Sequence, residues 1–245
     1  MTCSISLADN MTPLVLDTSV LINLHASTYG GRILSTLPND ILVPEIVVSE
    51  LEHETSKSNG EHQFIHDLVA TKKVRIVALD EREYAVFESL VSGSPSLDDG
   101  EAATIATATI RGCQPIIDER KGRQRAQEHF PGKQLGWSLD LFRHPKVVDE
   151  LGVTLSIEAL YFALYYGRMR IQEAHCDHVV SLIGVQRAIE CKCLPGYKFR
   201  RQQWQELSLG RNADNLAKGS ERSSNHELAE FPAADIMKVV QPAQL

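Results

Sequence analysis

Four short apolar runs punctuate the chain, LVL at 14–16, ILV at 41–43, VRIVAL at 74–79 and PII at 115–117, with stretches of helical character between them. Runs this short and continuous read as strands buried on both faces. Their alternation with helices is the pattern of crossover units that build a parallel sheet. A chain of 245 residues can hold one such domain with an appendage, or two small domains. The pattern predicts an α/β fold with a central parallel sheet flanked by helices, a C-terminal helical extension and a flexible tail. VVDELGVTLSIEALYFALYYGRMRI at 147–171 is helical, with Gly152 as a break and Ser156 as cap of the second half. The extension spans 172–199 and contains the helical run HVVSLIGVQRAI. From 200 to 245 the composition is polar, which predicts a tail too poor in apolar groups to order itself. Within it FPAADIMKVVQ, 231–241, is an apolar island suited to ordering on a partner.

Hydrophobic content of 43% and charged content of 23% suit a soluble protein. No apolar run is long enough to cross a bilayer, and MTCSISLADN lacks the basic and apolar blocks of a signal peptide, so a cytoplasmic protein with no membrane contact is expected. Five cysteines at irregular spacing argue for reduced thiols. A net charge of -7 speaks against coating nucleic acid by bulk electrostatics but leaves room for a local basic groove.

Carboxylates stand at telling places. Asp17 follows the first apolar run directly, and it, Thr18 or Ser19 can also cap the helix that begins near Val20. In VPEIVVSELEHE, Glu50 falls between Ile46 and Val47 on the helical wheel, whereas Glu45 and Glu52 fall on the solvent side. In SLDDGEAATIATATIRG, Glu101 shares the apolar face with Ile105 and Ala108, and Asp98 with Glu101 matches a capping box. Asp118 again follows a short buried run, and ligand sites of open α/β sheets lie outside the carboxyl ends of strands. Four acids brought together repel one another unless a cation neutralises them, and oxygen ligands without His or Cys suit Mg²⁺ or Mn²⁺.

The order and setting of LVLDTSVLI, VPEIVVSELE, DDGEAATIATA and PIIDERKGRQRA resemble those of the PIN-domain nucleases, over residues 12–171. The resemblance implies a three-layer, Rossmann-like domain and an endoribonuclease dependent on Mg²⁺ or Mn²⁺. It places metal binding and catalysis on Asp17, Glu50, Glu101 and Asp118, with Thr18 and Ser19 orienting ligands beside the first aspartate. It also implies hydrolysis that leaves a 5′-phosphate and a 3′-hydroxyl. For toxin-type members it implies a protein inhibitor or antitoxin as partner, and a homo-oligomer is a further expectation. LGWSLDLFRHPKV reads as a last short strand and a helix, with Asp140 or Ser138 as additions to the site and helix capping by Asp140 as the competing role.

An acidic centre needs flanking positive charge to receive phosphate. KGRQR at 121–125 supplies the first choice, Arg123 ahead of Lys121, with GRMR at 167–170 and KFRR at 198–201 behind it. Cys176, His178, Cys191 and Cys193 offer zinc-type ligands at spacings tighter than zinc sites use, which favours ordinary packing. A phosphatase of the haloacid dehalogenase class would need an aspartate where Ser19 stands. The rival of a different class is a noncatalytic PIN-like module that binds RNA or a protein.

Overall fold

A computed structural model describes residue 7 and residues 11–132 and 135–219. The apolar runs become β1 (Leu14–Leu16), β2 (Ile41–Pro44), β3 (Arg75–Val77) and β4 (Gln114–Ile116). All pair in parallel, in the order β3-β2-β1-β4. Alternation along β1 sends Leu14 and Leu16 into one apolar cluster with Ile41, Val43 and Ile116, and Val15 into another with Leu42 and Val77. Both faces are dry, so the strands carry no polar alternation.

The crossovers are α1 (Thr18–Ala26) and α2 (Gly30–Thr36), then α3 (Glu45–Glu50), α4 (Glu54–Asn59) and α5 (Glu61–Ala70), then α6 (Glu81–Val91) and α7 (Asp99–Arg111). After β4 come α8 (Arg120–His129), α9 (Ser138–Phe142), α10 (Pro145–Tyr165), α11 (Glu173–Ile183), α12 (Val185–Glu190) and α13 (Tyr197–Gly219). Side chains of α6, α7 and α8 complete the cluster on one face of the sheet, and those of α1, α2, α3, α5 and the helices from α9 onward complete the other. The result is the expected three-layer α/β architecture. No described helix is long and apolar enough to cross a membrane.

Helix α7 lies close to the sheet because its side chains are small: every residue from Gly100 to Ala108 is buried. Its far end is latched to α6. The Arg111 guanidinium donates to both oxygens of fully buried Glu83, at 2.6 and 2.9 Å, and the same carboxylate accepts from the Asp80 amide at 2.7 Å. A buried carboxylate is tolerated when its oxygens are filled in this way.

Local expectations are met unevenly. Gly152 does break the helical run, at φ 74° and ψ 160°, inside α10. Ser156 does not cap the second half: it is buried within the helix, and its hydroxyl donates to the Val153 carbonyl at 2.9 Å. The helix begins instead at His144, whose Nδ1 accepts from the Lys146 amide, with Pro145 in the first turn. The strand expected in LGW reduces to one parallel bridge between Gly136 and Ile116. The polar segment drawn as tail from residue 200 is helical to Gly219, with Trp204 buried against the core, and the island at 231–241 lies outside the described residues.

The backbone at Gly152 sits where only glycine is at ease, and a Cβ there would meet no neighbouring atom. Gly152→Ala is therefore expected to lower stability by about 1–3 kcal/mol in chemical denaturation through backbone strain alone. An unchanged or raised stability would show that the break relaxes freely.

Candidate functional site

The register Leu16↔Ile116 brings the carboxyl ends of β1 and β4 side by side. The chain leaves both strands together, and the Asp17 amide donates across to the Ile116 carbonyl at 3.3 Å. Asp17 is the N-cap of α1, its Oδ2 accepting from the Ser19 amide at 3.2 Å and the Ser19 hydroxyl at 2.6 Å. Capping and a place at the sheet edge thus belong to the same residue. Asp118, two residues beyond β4, accepts at Oδ1 from the Ser138 amide and at Oδ2 from Asn23 Nδ2, both at 2.8 Å.

Glu50 closes α3 and reaches over the start of α7. The Thr18 hydroxyl donates to its Oε2, and the Gly100 amide to its Oε1 at 2.8 Å. A Cβ at Gly100 would stand 2.4 Å from that Oε2, so only glycine lets the carboxylate settle there. Glu52 on the opposite side is exposed. At the start of α7 only half of the expected capping box forms. Asp98 accepts from the Glu101 amide at 2.8 Å, but the Glu101 carboxylate turns inward, and its Oε1 is buried without a hydrogen-bond partner among the described residues. The first turn of α8 presses on it, because a Cβ at Gly122 would lie 2.6 Å from that oxygen.

Asp17, Glu101 and Asp118 are each 3% exposed. Burial pushes Asp17 up to about 7, partly relieved by Ser19 and reinforced by Asp98 and Glu50. Burial, then Asp98, Asp17 and Glu119, push Glu101 up to about 8, with Lys121 pulling the other way. Asp118 rises to about 6 by burial, tempered by Ser138, Arg123 and Asn23. Glu50 is also raised, again first by burial. Asp17 and Glu101 are thus buried among acids that raise them further, the setting in which a cation is most favoured.

Other expectations are redistributed. Arg123 does not face the opening: it donates to the carbonyls of Ile117 (2.8 Å), Gly136 (2.6 Å) and Leu135 (3.1 Å) and lies 3.4 Å over the Trp137 ring. It fastens the turn after β4 and is not placed to grip phosphate. Lys121 is exposed beside Glu101. Arg170 pairs with Glu119 and Arg200 with Asp177. Asp140 accepts from the Trp137 amide at 3.0 Å, the capping role, and is pushed up to about 6 chiefly by burial. Cys176 and Cys193 donate to the Pro195 and Leu164 carbonyls, and burial pushes Cys193 up to about 11 and Cys191 to about 12, so these thiols keep their protons. Asn23 was not singled out from the sequence, and Asp98 was read there only as a helix cap. A lone amide inside VLINL and a doubled acid before GEAA were the available signals.

The donor chemistry fits a hard divalent ion: carboxylate oxygens dominate, and Glu101 presents one that no hydrogen-bond donor meets among the described residues. Among the described residues, however, no three His, Cys, Asp or Glu side chains are arranged to hold an ion together. Both oxygens of Glu50 and both of Asp118 accept from internal donors.

Raised carboxyls make stability depend on pH in a definite sense. Their contribution is complete below the ordinary carboxylate range and fades as pH rises through the folded values near 6, 7 and 8. Metal-free protein should therefore melt lower at about pH 8 than at about pH 5.5, with a smaller drop in Asp17→Asn and Glu101→Gln. The variants are the decisive comparison because His144, pushed down by burial, acts in the opposite sense. An identical pH profile in all three proteins would contradict the raised values.

A family model described as a PIN domain matches residues 13–130. No curated protein and no solved structure matches the chain. The matched span contains Asp17, Glu50, Glu101 and Asp118 and ends before Asp140. Sheet, crossovers and family match coincide, and residues 13–130 of this chain belong to the PIN-domain family.

Proposed function

We propose that this chain is a nuclease that hydrolyses phosphodiester bonds in RNA with Mg²⁺ or Mn²⁺ held by Asp17, Glu50, Glu101 and Asp118. PIN domains are generally nucleases, and the family membership carries the reaction class. The observation that carries the site is the unpartnered, buried Oε1 of Glu101 beside Asp17, in a cluster whose members raise one another's pKa. A divalent ion supplies there the positive charge that activates water and stabilises charge building on phosphate oxygens. The chain's own residues do the rest. Ser19 steadies Asp17, Thr18 and the Gly100 amide orient Glu50, and Asn23 with the Ser138 amide hold Asp118. Lys121, exposed next to Glu101, is the cation best placed to meet a phosphate beside the acids.

On the family resemblance alone we extend the proposal to a cytoplasmic toxin restrained by a protein inhibitor. The apolar island at 231–241 is the segment offered to that partner.

Cleavage of mixed single-stranded RNA with Mn²⁺, and with chelator in its place, tests the reading. Asp17→Asn, Glu101→Gln and Asp118→Asn should each lower the rate by about a hundredfold or more while the fold survives. Glu50→Gln should follow them and Glu52→Gln should not. RNA binding without Mn²⁺-dependent cleavage by the unaltered chain would favour a noncatalytic PIN-like module. Full activity of Asp17→Asn or Glu101→Gln would remove the acids from the mechanism.

A further inference from the structure

We propose that His62 and His66, one turn apart on α5, form a binding site for a late first-row divalent ion, Cu²⁺ or Ni²⁺, separate from the carboxylate cluster. Their Nε2 atoms face each other at 3.0 Å, with ring centroids 4.3 Å apart and planes at 62°. Two imidazole nitrogens at that distance share either a proton or a metal ion, since both lone pairs cannot point at each other unfilled. His66 is exposed and His62 half-buried, so an ion reaches the pair from solvent without opening the fold.

The spacing also suits a particular coordination geometry. Bonds of about 2.05 Å to nitrogens 3.0 Å apart subtend roughly 94° at the metal. That is close to the right angle of square or octahedral coordination and well short of the tetrahedral angle zinc prefers. Imidazole ligands and tetragonal geometry together favour Cu²⁺, then Ni²⁺, over Zn²⁺. No third acidic, thiol or imidazole ligand joins the pair among the described residues, so water completes the coordination. Of the acids flanking the pair on α5, Asp67 is engaged by Gln63 at 2.8 Å and Glu61 is buried, accepting from Asn59 at 3.4 Å.

The frame is set before the ion arrives. On its inner side α5 buries Ile65 and Leu68, and Phe64 packs on His25 of α1 with ring centroids 5.3 Å apart. With the helix held, the second metal bond forms intramolecularly, which is the origin of chelate affinity. Nitrogen donors here and oxygen donors at the sheet edge call for different ions, so the two sites can be titrated independently.

The test uses the full chain, with Ni²⁺ followed by thermal shift and stoichiometric Cu²⁺ followed by electron paramagnetic resonance. Ni²⁺ should raise the melting temperature of the unaltered protein and of Asp17→Asn alike, and the rise should vanish in His62→Ala and His66→Ala. Each single variant should lose about a hundredfold in Ni²⁺ affinity, as expected when a chelate becomes a single ligand. Metal-free melting of His66→Ala should be unchanged, because that side chain is exposed. The Cu²⁺ spectrum should show two equivalent nitrogens. Unaltered Ni²⁺ affinity in His62→Ala and His66→Ala, or a Cu²⁺ spectrum without paired nitrogen ligands, would overturn the assignment. Both readouts are independent of RNA cleavage.

Discussion

Side-by-side pairing of β1 and β4 is the constraint on which the rest of the candidate site depends. Because Leu16 and Ile116 are in register, Asp17 and the segment leading to Asp118 emerge together from the carboxyl end of a buried sheet. Neither carboxylate has water at hand, and each is 3% exposed. The surrounding elements must then supply either hydrogen bonds or charge. Asp118 receives two donors and rises only to about 6, whereas Glu101, with a buried oxygen left without a partner, rises to about 8. That gradient in hydrogen bonding parallels the gradient in proton affinity, as burial and donor count dictate.

Close approach of helices makes the cluster possible. Glycine at positions 100 and 122 lets α7 meet Glu50 and lets α8 meet Glu101 at distances that a methyl group would prevent. The Arg111–Glu83 latch and the small residues along α7 hold that helix against the sheet, which keeps Glu101 inside. Arg123, tied to three carbonyls around the end of β4, fixes the turn that carries Asp118. The scaffold therefore aims several carboxylates at one small volume. It rests most of their oxygens on internal donors.

Much of this was legible from residues 14–118. A strand buried on both faces has no polar positions, so LVL, ILV and PII announce themselves, and an acid directly after such a run has few places to go. Glu50 was legible too, although α3 has only six residues, because one turn is enough to separate it from Glu52. Arg123 was not, because its partners are carbonyls of Leu135 and Gly136 that fold brings near and no local pattern encodes. Capping was misjudged twice for one physical reason. A serine or glutamate at capping distance is also free to bond a carbonyl or turn inward, and packing decides, as at Ser156 and Glu101. Helix α13 was hidden by polar composition, since burial of a single large residue, Trp204, anchors its first turns.

The central claim is that Asp17 and Glu101 hold protons near neutrality in the metal-free protein and release them to a divalent ion. Calorimetric titration of Mn²⁺ at about pH 7 in two buffers of different ionisation enthalpy measures that release directly. About one proton should leave per ion bound, and fewer in Glu101→Gln, given folded values near 7 and 8. Mn²⁺ binding with no proton release, or with the same release in the variant, would contradict the account.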